Sequence, residues 1–198
     1  SGFWSARAGY TLGYARGNNS GAALGVNNFQ FLAEKNLDLN YGPLDTDRRH
    51  NLILSGRIEV PRTGGLTVSS LFRFMTGRPM SIIDTNTDPD RNGILFDPLP
   101  AGTYSGSGAN AITVKNEGGR NGAYGPSYLQ LDARLGYRLR MGGARTLDLF
   151  LECFNLTDRS NFTNPSGDRR TLATFLVPTG LVAGGFPRQL QIGTRLGF

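Results

Sequence analysis

Apolar and polar residues alternate with a period of two along several stretches of the chain, most clearly over 128–140. Successive side chains of a β-strand point to opposite faces, so this pattern predicts a strand with one apolar and one polar face. The predicted apolar set is Leu129, Leu131, Ala133, Leu135, Tyr137 and Leu139. The alternation recurs less purely in 4–14, 50–60, 66–76, 147–153 and 189–198. Six strands are therefore expected.

The links between these strands alternate strictly in length. Two are short glycine-bearing turns, whereas three are long, rich in Gly, Asn, Asp and Pro, and expected to be structureless. The turns are 61–65 and 141–145, and the long links run from about 16–47, 81–126 and 157–187. Long loops are uncommon in compact soluble domains, but outer-membrane barrels combine short periplasmic turns with long extracellular loops. The pattern predicts an all-β, antiparallel transmembrane β-barrel segment with that arrangement of links.

Composition is compatible with such a barrel. Hydrophobic residues make up 38% of the chain, and the best apolar runs, such as 181–186, are short and broken by glycine. A membrane-spanning helix needs roughly 18 apolar residues, whereas a barrel strand needs about 9–11 and only one apolar face. A helical membrane protein is excluded. A soluble antiparallel sandwich that binds carbohydrate or protein remains an alternative, because one-sided sheets alternate in the same way.

Charge and candidate catalytic residues point away from nucleic-acid binding and catalysis. The net charge is +6, but the arginines are scattered rather than clustered, and no RNA-binding or zinc-finger signature is present. The chain has one histidine, His50, and one cysteine, Cys153, with no nucleophile elbow or phosphate loop. Neither an enzyme nor a nucleic-acid-binding protein is expected, and no internal disulfide can form.

One loop contains a candidate calcium site. Oxygen-bearing side chains occur at every second position in Asp84, Asn86, Asp88 and Asp90, followed by Gly93. Calcium prefers several carboxylate and carbonyl oxygens on a tight turn. However, Pro89 interrupts the run and the glycine is displaced from its EF-hand position. A solvated loop without an ion and a calcium site are both retained as interpretations.

The polar faces of the predicted strands carry many arginines. They are Arg7, Arg57, Arg73, Arg134, Arg138 and Arg195. In a barrel this face lines the lumen, and we expect these arginines to form ion pairs there with Asp132, Asp148 and Glu152, with contact to a plug as the alternative. A role of the lumen-facing arginines in solute selectivity is a further hypothesis.

Three stretches resemble motifs of TonB-dependent outer-membrane receptors, particularly the Oar-like members. They are Asp-Thr-Asp-Arg-Arg-His-Asn-Leu at 45–52, Glu-Cys-Phe-Asn-Leu-Thr-Asp-Arg-Ser-Asn-Phe at 152–162, and Pro-Arg-Gln-Leu-Gln-Ile-Gly-Thr-Arg-Leu-Gly-Phe at 187–198. The resemblance implies active uptake of a bulky solute of unknown identity, driven through TonB by way of a plug domain. Another outer-membrane barrel, such as an adhesin or a passive porin, is the alternative.

The last strand resembles the signal by which the barrel-insertion machinery recognises its substrates. Its residues are Leu190, Ile192, Thr194, Leu196 and Phe198. Six strands are fewer than the roughly eight of the smallest membrane barrels. We therefore expect residues 1–198 to be the C-terminal portion of a receptor barrel, with the plug and upstream strands lying elsewhere. The expected partners are outer-membrane lipid, the insertion machinery, the plug and TonB, in a Gram-negative bacterium.

Overall fold

A computed structural model describes residues 3–18 and 37–198. Its strands, in chain order, are β1 Trp4–Leu12, β2 Arg16–Gly17, β3 Gly42–Pro43, β4 His50–Glu59, β5 Leu66–Met75, β6 Pro79–Met80, β7 Ile83–Asp84, β8 Asp97–Pro98, β9 Gly102–Ser105, β10 Thr113–Asn116, β11 Ala123–Tyr124, β12 Tyr128–Arg140, β13 Thr146–Phe154 and β14 Gln189–Gly197. A 3-10 helical turn covers Leu37–Asn40. No helix among the described residues is long and apolar enough to span a membrane.

The six long strands form one antiparallel sheet in the order β1-β4-β5-β12-β13-β14. These are the six strands predicted from the alternation, and each predicted end lies within two residues of the observed one. The short turns close tightly because glycines adopt positive φ, as Gly142 (91°) and Gly143 (63°) do between β12 and β13. The sheet is open, with β1 and β14 as its two edges.

Register places the alternating side chains in rows that cross the whole sheet. One apolar row consists of Trp4, Ile58, Val68, Leu135, Leu151 and Ile192. Every member of this row is at least 41% exposed. The adjacent row on the opposite face consists of Ser5, Arg57, Ser69, Arg134, Glu152 and Gln191. The sheet thus has an exposed apolar face and a charged face, as predicted.

The long links differ from the expected structureless loops. They contain the short strands β2, β3 and β6 to β11, which form four small two-stranded sheets. The buried hydrophobic cluster of the described residues also lies in these links: Met80, Ile82, Val114, Ala123, Phe175 and Leu176. The prediction failed because this core joins residues that are distant in sequence. The strands that pair there are too short to produce a repeating pattern of apolar and polar residues. Residues 19–36 of the first long link lie outside the described residues.

The second and third long links are joined to each other. The backbone of Ile83 accepts a hydrogen bond from Arg169 N and donates one to Gly167 O, both at 2.9 Å. Beside this bridge, the Asp168 carboxylate accepts hydrogen bonds from Thr85 Oγ1 (2.6 Å) and Thr85 N (3.2 Å). The two links therefore fold into one cap above the long-link end of the sheet.

Candidate functional site

The charged face of the sheet carries cross-strand ion pairs. Arg138 binds both carboxylate oxygens of Asp148, at 2.6 and 2.9 Å. Arg134 lies 3.0 Å from Glu152, on the strand directly opposite in register. These contacts confirm that Asp148 and Glu152 pair with arginines of the polar face.

Two further arginines of this face are paired. Arg73 lies 3.3 Å from Asp132, and Arg57 lies 2.9 Å from Glu59 of its own strand. Arg7 and Arg195 have no ion-pair partner among the described residues, although Arg195 is directly opposite Asp148 in register. The predicted pairing with Asp132, Asp148 and Glu152 is therefore found for Arg73, Arg138 and Arg134, whereas Arg57 pairs with Glu59, which was not among the predicted partners.

A cleft of about 680 Å³ lies on this face at the short-turn end of the sheet. Five guanidinium groups line it, against the carboxylates of Glu59 and Asp148. The arginines are Arg57, Arg134, Arg138, Arg140 and Arg195. Because cations outnumber carboxylates, the cleft favours anionic groups over cationic ones.

Phe150 breaks the alternation in sequence and lies on the charged face in the structure. Its ring packs over Gly193 of the neighbouring strand, where a Cβ would lie 2.3 Å from Phe150 Cζ. The Arg134 guanidinium stacks 4.0 Å from the ring centroid. Gly193 therefore provides the space for an aromatic ring, and the ring in turn supports an arginine through a cation–π contact.

The motif at 152–162 forms the exit of β13 into the third long link. Asn161 is buried, and its amide bonds both backbone groups of Leu129: it accepts from Leu129 N and donates to Leu129 O, each at 2.9 Å. The buried Asn155 donates to Phe186 O at 2.9 Å. These two asparagines replace sheet hydrogen bonds where β13 ends. Sequence reasoning noted the motif but gave Asn161 no role.

The motif at 45–52 forms a second junction. The fully buried carboxylate of Asp47 lies 3.2 Å from Arg49, which stacks 4.1 Å from the centroid of the Tyr14 ring. Burial raises the pKa of the Tyr124 hydroxyl, and the negative charge of Asp47 raises it further.

His50, the residue after Arg49, has its Nδ1 atom 2.8 Å from the Tyr10 hydroxyl. The single histidine is therefore part of a hydrogen-bonded aromatic pair at a strand entry.

The structure divides the candidate calcium residues. Asp88 and Asp90 are brought together with Asp97, which the sequence analysis did not include, and their carboxylate oxygens lie within 4.8 Å of one another. Asp84 instead lies 3.8 Å from Arg169 and accepts a hydrogen bond from Asn86 N. Hydrogen bonds led by the one from Gly93 N lower the pKa of Asp88, whereas burial and the two neighbouring carboxylates raise that of Asp97. Calcium binding remains a prediction.

The predicted insertion residues lie on the apolar face of the edge strand β14 and just beyond it. They are all exposed: Leu190, Ile192, Thr194, Leu196 and Phe198. β14 pairs with β13 on one side only, so its other edge is free in the described structure. This arrangement is compatible with strand pairing to another protein, and recognition by the insertion machinery stays a prediction.

An antiparallel sheet with an exposed apolar face and an ion-paired charged face defines the wall of a membrane β-barrel. A family model of the outer membrane beta barrel domain matches residues 1–191. The chain belongs to this family and is located in the bacterial outer membrane. The soluble-sandwich alternative is therefore wrong. No curated protein and no solved structure matches the chain.

Proposed function

We propose that this chain is part of the barrel wall of a TonB-dependent receptor that takes up a bulky solute actively, with TonB acting through a plug. The charged face would line the lumen and the folded long links would form the extracellular entrance. The observation that carries this proposal is the cap: two long links share a hydrophobic core and a backbone bridge, which builds a structured entrance rather than open loops.

The cleft on the charged face supports the same proposal. It lies at the short-turn end, which is the periplasmic end of the wall, and its excess of arginines leaves it complementary to an acidic surface. A plug with acidic residues on its barrel-facing side would fit there. The motifs at 45–52 and 152–162, which resemble TonB-dependent receptors, build the junctions that carry the cap.

A passive porin is the second candidate. The open charged face of the sheet favours it, because a water-filled pore also needs a polar lumen with paired charges. An adhesin would use the cap as its binding surface and would need neither a plug nor an open lumen. The two main candidates differ in coupling, since only a receptor must contact TonB.

The proposal is tested on the full-length protein purified from outer membranes. The periplasmic domain of TonB, immobilised on beads, should retain the protein, and the protein in planar bilayers should show no steady conductance. A stable open conductance together with no retention by TonB would establish a porin and overturn the receptor. Absence of both conductance and retention would also overturn it, and would leave the adhesin.

A further inference from the structure

Three arginines stand at the extracellular end of the sheet without a carboxylate partner. They are Arg48, Arg78 and Arg159, called the rim arginines below. No ion pair involves any of them among the residues that the structure describes. On the charged face, in comparison, Arg57, Arg73, Arg134 and Arg138 are paired, and only Arg7 and Arg195 of the six arginines discussed above have no ion-pair partner among the described residues. Uncompensated guanidinium groups are costly to bring together, so their proximity needs an explanation.

Register brings the rim arginines together. Thr76 N donates to His50 O, so the pairing of β4 with β5 continues past Met75 and sets Arg48 opposite Arg78. Arg48 Nη1 donates to Thr76 O at 2.9 Å. Burial and the charge of Arg78 both lower the pKa of the Arg48 guanidinium, which indicates that the two cations repel each other.

Arg159 joins the other two through the next strand. Its Nη2 donates to Ser127 Oγ at 3.0 Å and to Ser127 O at 3.3 Å. Ser127 immediately precedes β12, whose Tyr128 faces Met75, so the same register sets Ser127 opposite Thr76. Neighbouring strands lie about 4.8 Å apart. The guanidinium groups of Arg48 and Arg159 are therefore anchored on neighbouring strands, and Arg78 lies two residues beyond Thr76 on the first of these strands.

The rim arginines continue the apolar, lipid-facing side of the wall rather than the lumen. In β5 the outward residues are the even-numbered ones, such as Phe72 and Phe74, and Arg78 extends that set. Its side chain is exposed, whereas the flanking Gly77 and Pro79 are buried. In β12 the odd-numbered residues face outward, and Ser127, which anchors Arg159, extends them.

Exposed aromatic residues mark this level of the wall, because the continued pairing of β1 with β4 sets Tyr14 beside Arg48 and places Tyr10 below it. Tyr10 and Tyr14 are at least 60% exposed, and the Tyr10 hydroxyl is bonded to His50. Tyrosines with an apolar ring and a polar tip gather at the level of lipid headgroups. The rim arginines thus lie at the level of the lipid headgroups, where the available anion is the phosphate of those headgroups. Planar guanidinium groups bind phosphate oxygens through paired N–H donors.

We propose that Arg48, Arg78 and Arg159 form a binding site for the phosphorylated headgroup of an outer-leaflet lipid. The site rests on the outer-membrane location and does not depend on whether the barrel transports a solute. Lipid is the proposed source of the phosphate because the arginines continue the membrane-facing side, above the exposed apolar residues of the sheet. A soluble phosphate compound would instead be expected at the lumen.

The experiment compares matched triple variants of the full-length protein. One is Arg48→Gln/Arg78→Gln/Arg159→Gln, and the control is Arg7→Gln/Arg62→Gln/Arg145→Gln. The control removes the same charge from three exposed arginines that also form no ion pair among the described residues but lie in the lumen or at the short turns. Native mass spectrometry in detergent measures binding of lipid A with its phosphates and of the same lipid after their enzymatic removal.

The rim variant should lose affinity for phosphorylated lipid A by about fivefold per arginine, on the order of 100-fold in all, because each surface arginine near anionic lipid contributes about that factor. The control and the wild type should both discriminate against the dephosphorylated lipid. Unchanged affinity in the rim variant would overturn the site. Displacement of the lipid by equimolar inorganic phosphate would overturn lipid as the source.

If the triple variant loses heat-modifiable gel migration and therefore does not fold, the single variant Arg78→Gln is tested by the same measurement. The exposed Arg78 side chain holds no hydrogen bond in the described structure, so its replacement should leave the fold intact.

Discussion

Phe150 and Gly193 interlock on the charged face of the sheet, where the Phe150 ring occupies the space that a side chain at position 193 would fill. The two residues face each other directly in the pairing of β13 with β14. The Arg134 guanidinium stacks over the same ring. A glycine in the middle of a strand weakens it, so its presence here is explained by the ring.

Gly193→Ala should destabilise the protein by about 1 kcal/mol, at the low end of the range for overpacking, because the ring can rotate away but must leave Arg134. Adding Phe150→Ala should remove most of the effect of the alanine, since the clash disappears. Urea unfolding in lipid vesicles measures both. Gly9→Ala is the control, because the nearest atom to its Cβ would be Ile53 O at 4.0 Å. Additive effects of the two substitutions would contradict the interlock.

Asn161→Ala should cost about 1–3 kcal/mol for each backbone group of Leu129 that it leaves buried and unpaired. Asn161→Asp should cost less, because a carboxylate still accepts the hydrogen bond from Leu129 N. The prediction is tested by measuring the free energy of unfolding of each variant. Asn86→Ala, at an exposed site, is the control. Equal losses for the alanine and the aspartate would contradict the role of the side-chain oxygen as the acceptor for Leu129 N.

The six long strands were predictable because each has one exposed apolar face and one charged face, which imposes a period of two on the sequence. The exceptions are side chains that break this rule. Ile53 and Phe150 are apolar residues on the charged face, and Phe150 has a specific partner in Gly193. Ion pairs such as Arg138 with Asp148 were also within reach, since both residues lie on the polar faces of adjacent strands.

The cap could not be predicted from the period-two pattern of the sequence. Ile82 and Leu176 are both fully buried in it, yet 94 positions separate them along the chain, and strands of two residues leave no repeat to detect. For the same reason Asp97 was missed beside Asp88 and Asp90, because the β7–β8 pairing that returns the chain to that point is only two residues long. Asparagines that replace backbone hydrogen bonds, such as Asn161, carry no distinguishing sequence signal.

The two faces of one strand should respond oppositely to the same charge. Leu54→Glu places a carboxylate on the exposed apolar face, where a basic residue at the bilayer midplane costs about 2–4 kcal/mol and an acidic one somewhat less. Ser55→Glu places it on the lumen face, directly opposite Arg7. The yield of heat-modifiable protein in the outer membrane should fall for Leu54→Glu only. Equal yields would contradict the assignment of the two faces.

Asp168 holds the two halves of the cap together, and its contribution should depend on pH. Burial alone would raise the pKa of its carboxyl, but hydrogen bonds from the Thr85 hydroxyl and from the Arg170 and Thr85 amides lower it below the ordinary value. A carboxyl with a lowered folded-state pKa stabilises the fold fully above the unfolded-state pKa of about 3.9. That stabilisation is lost as the pH falls through the lower, folded-state pKa.

Hydrogen exchange of the Thr85 and Arg170 amides, which bind this carboxylate directly, should therefore show protection that is constant between about pH 5 and 7 and lost in stronger acid. Asp168→Asn should already show reduced protection at neutral pH, because the amide lacks the charge that strengthens these bonds. Asp158→Asn is the control, since that carboxylate pairs with Arg188 outside the bridge between the two links. If Asp168→Asn retained wild-type protection at neutral pH, the backbone bridge at Ile83 would be sufficient to hold the cap without the carboxylate.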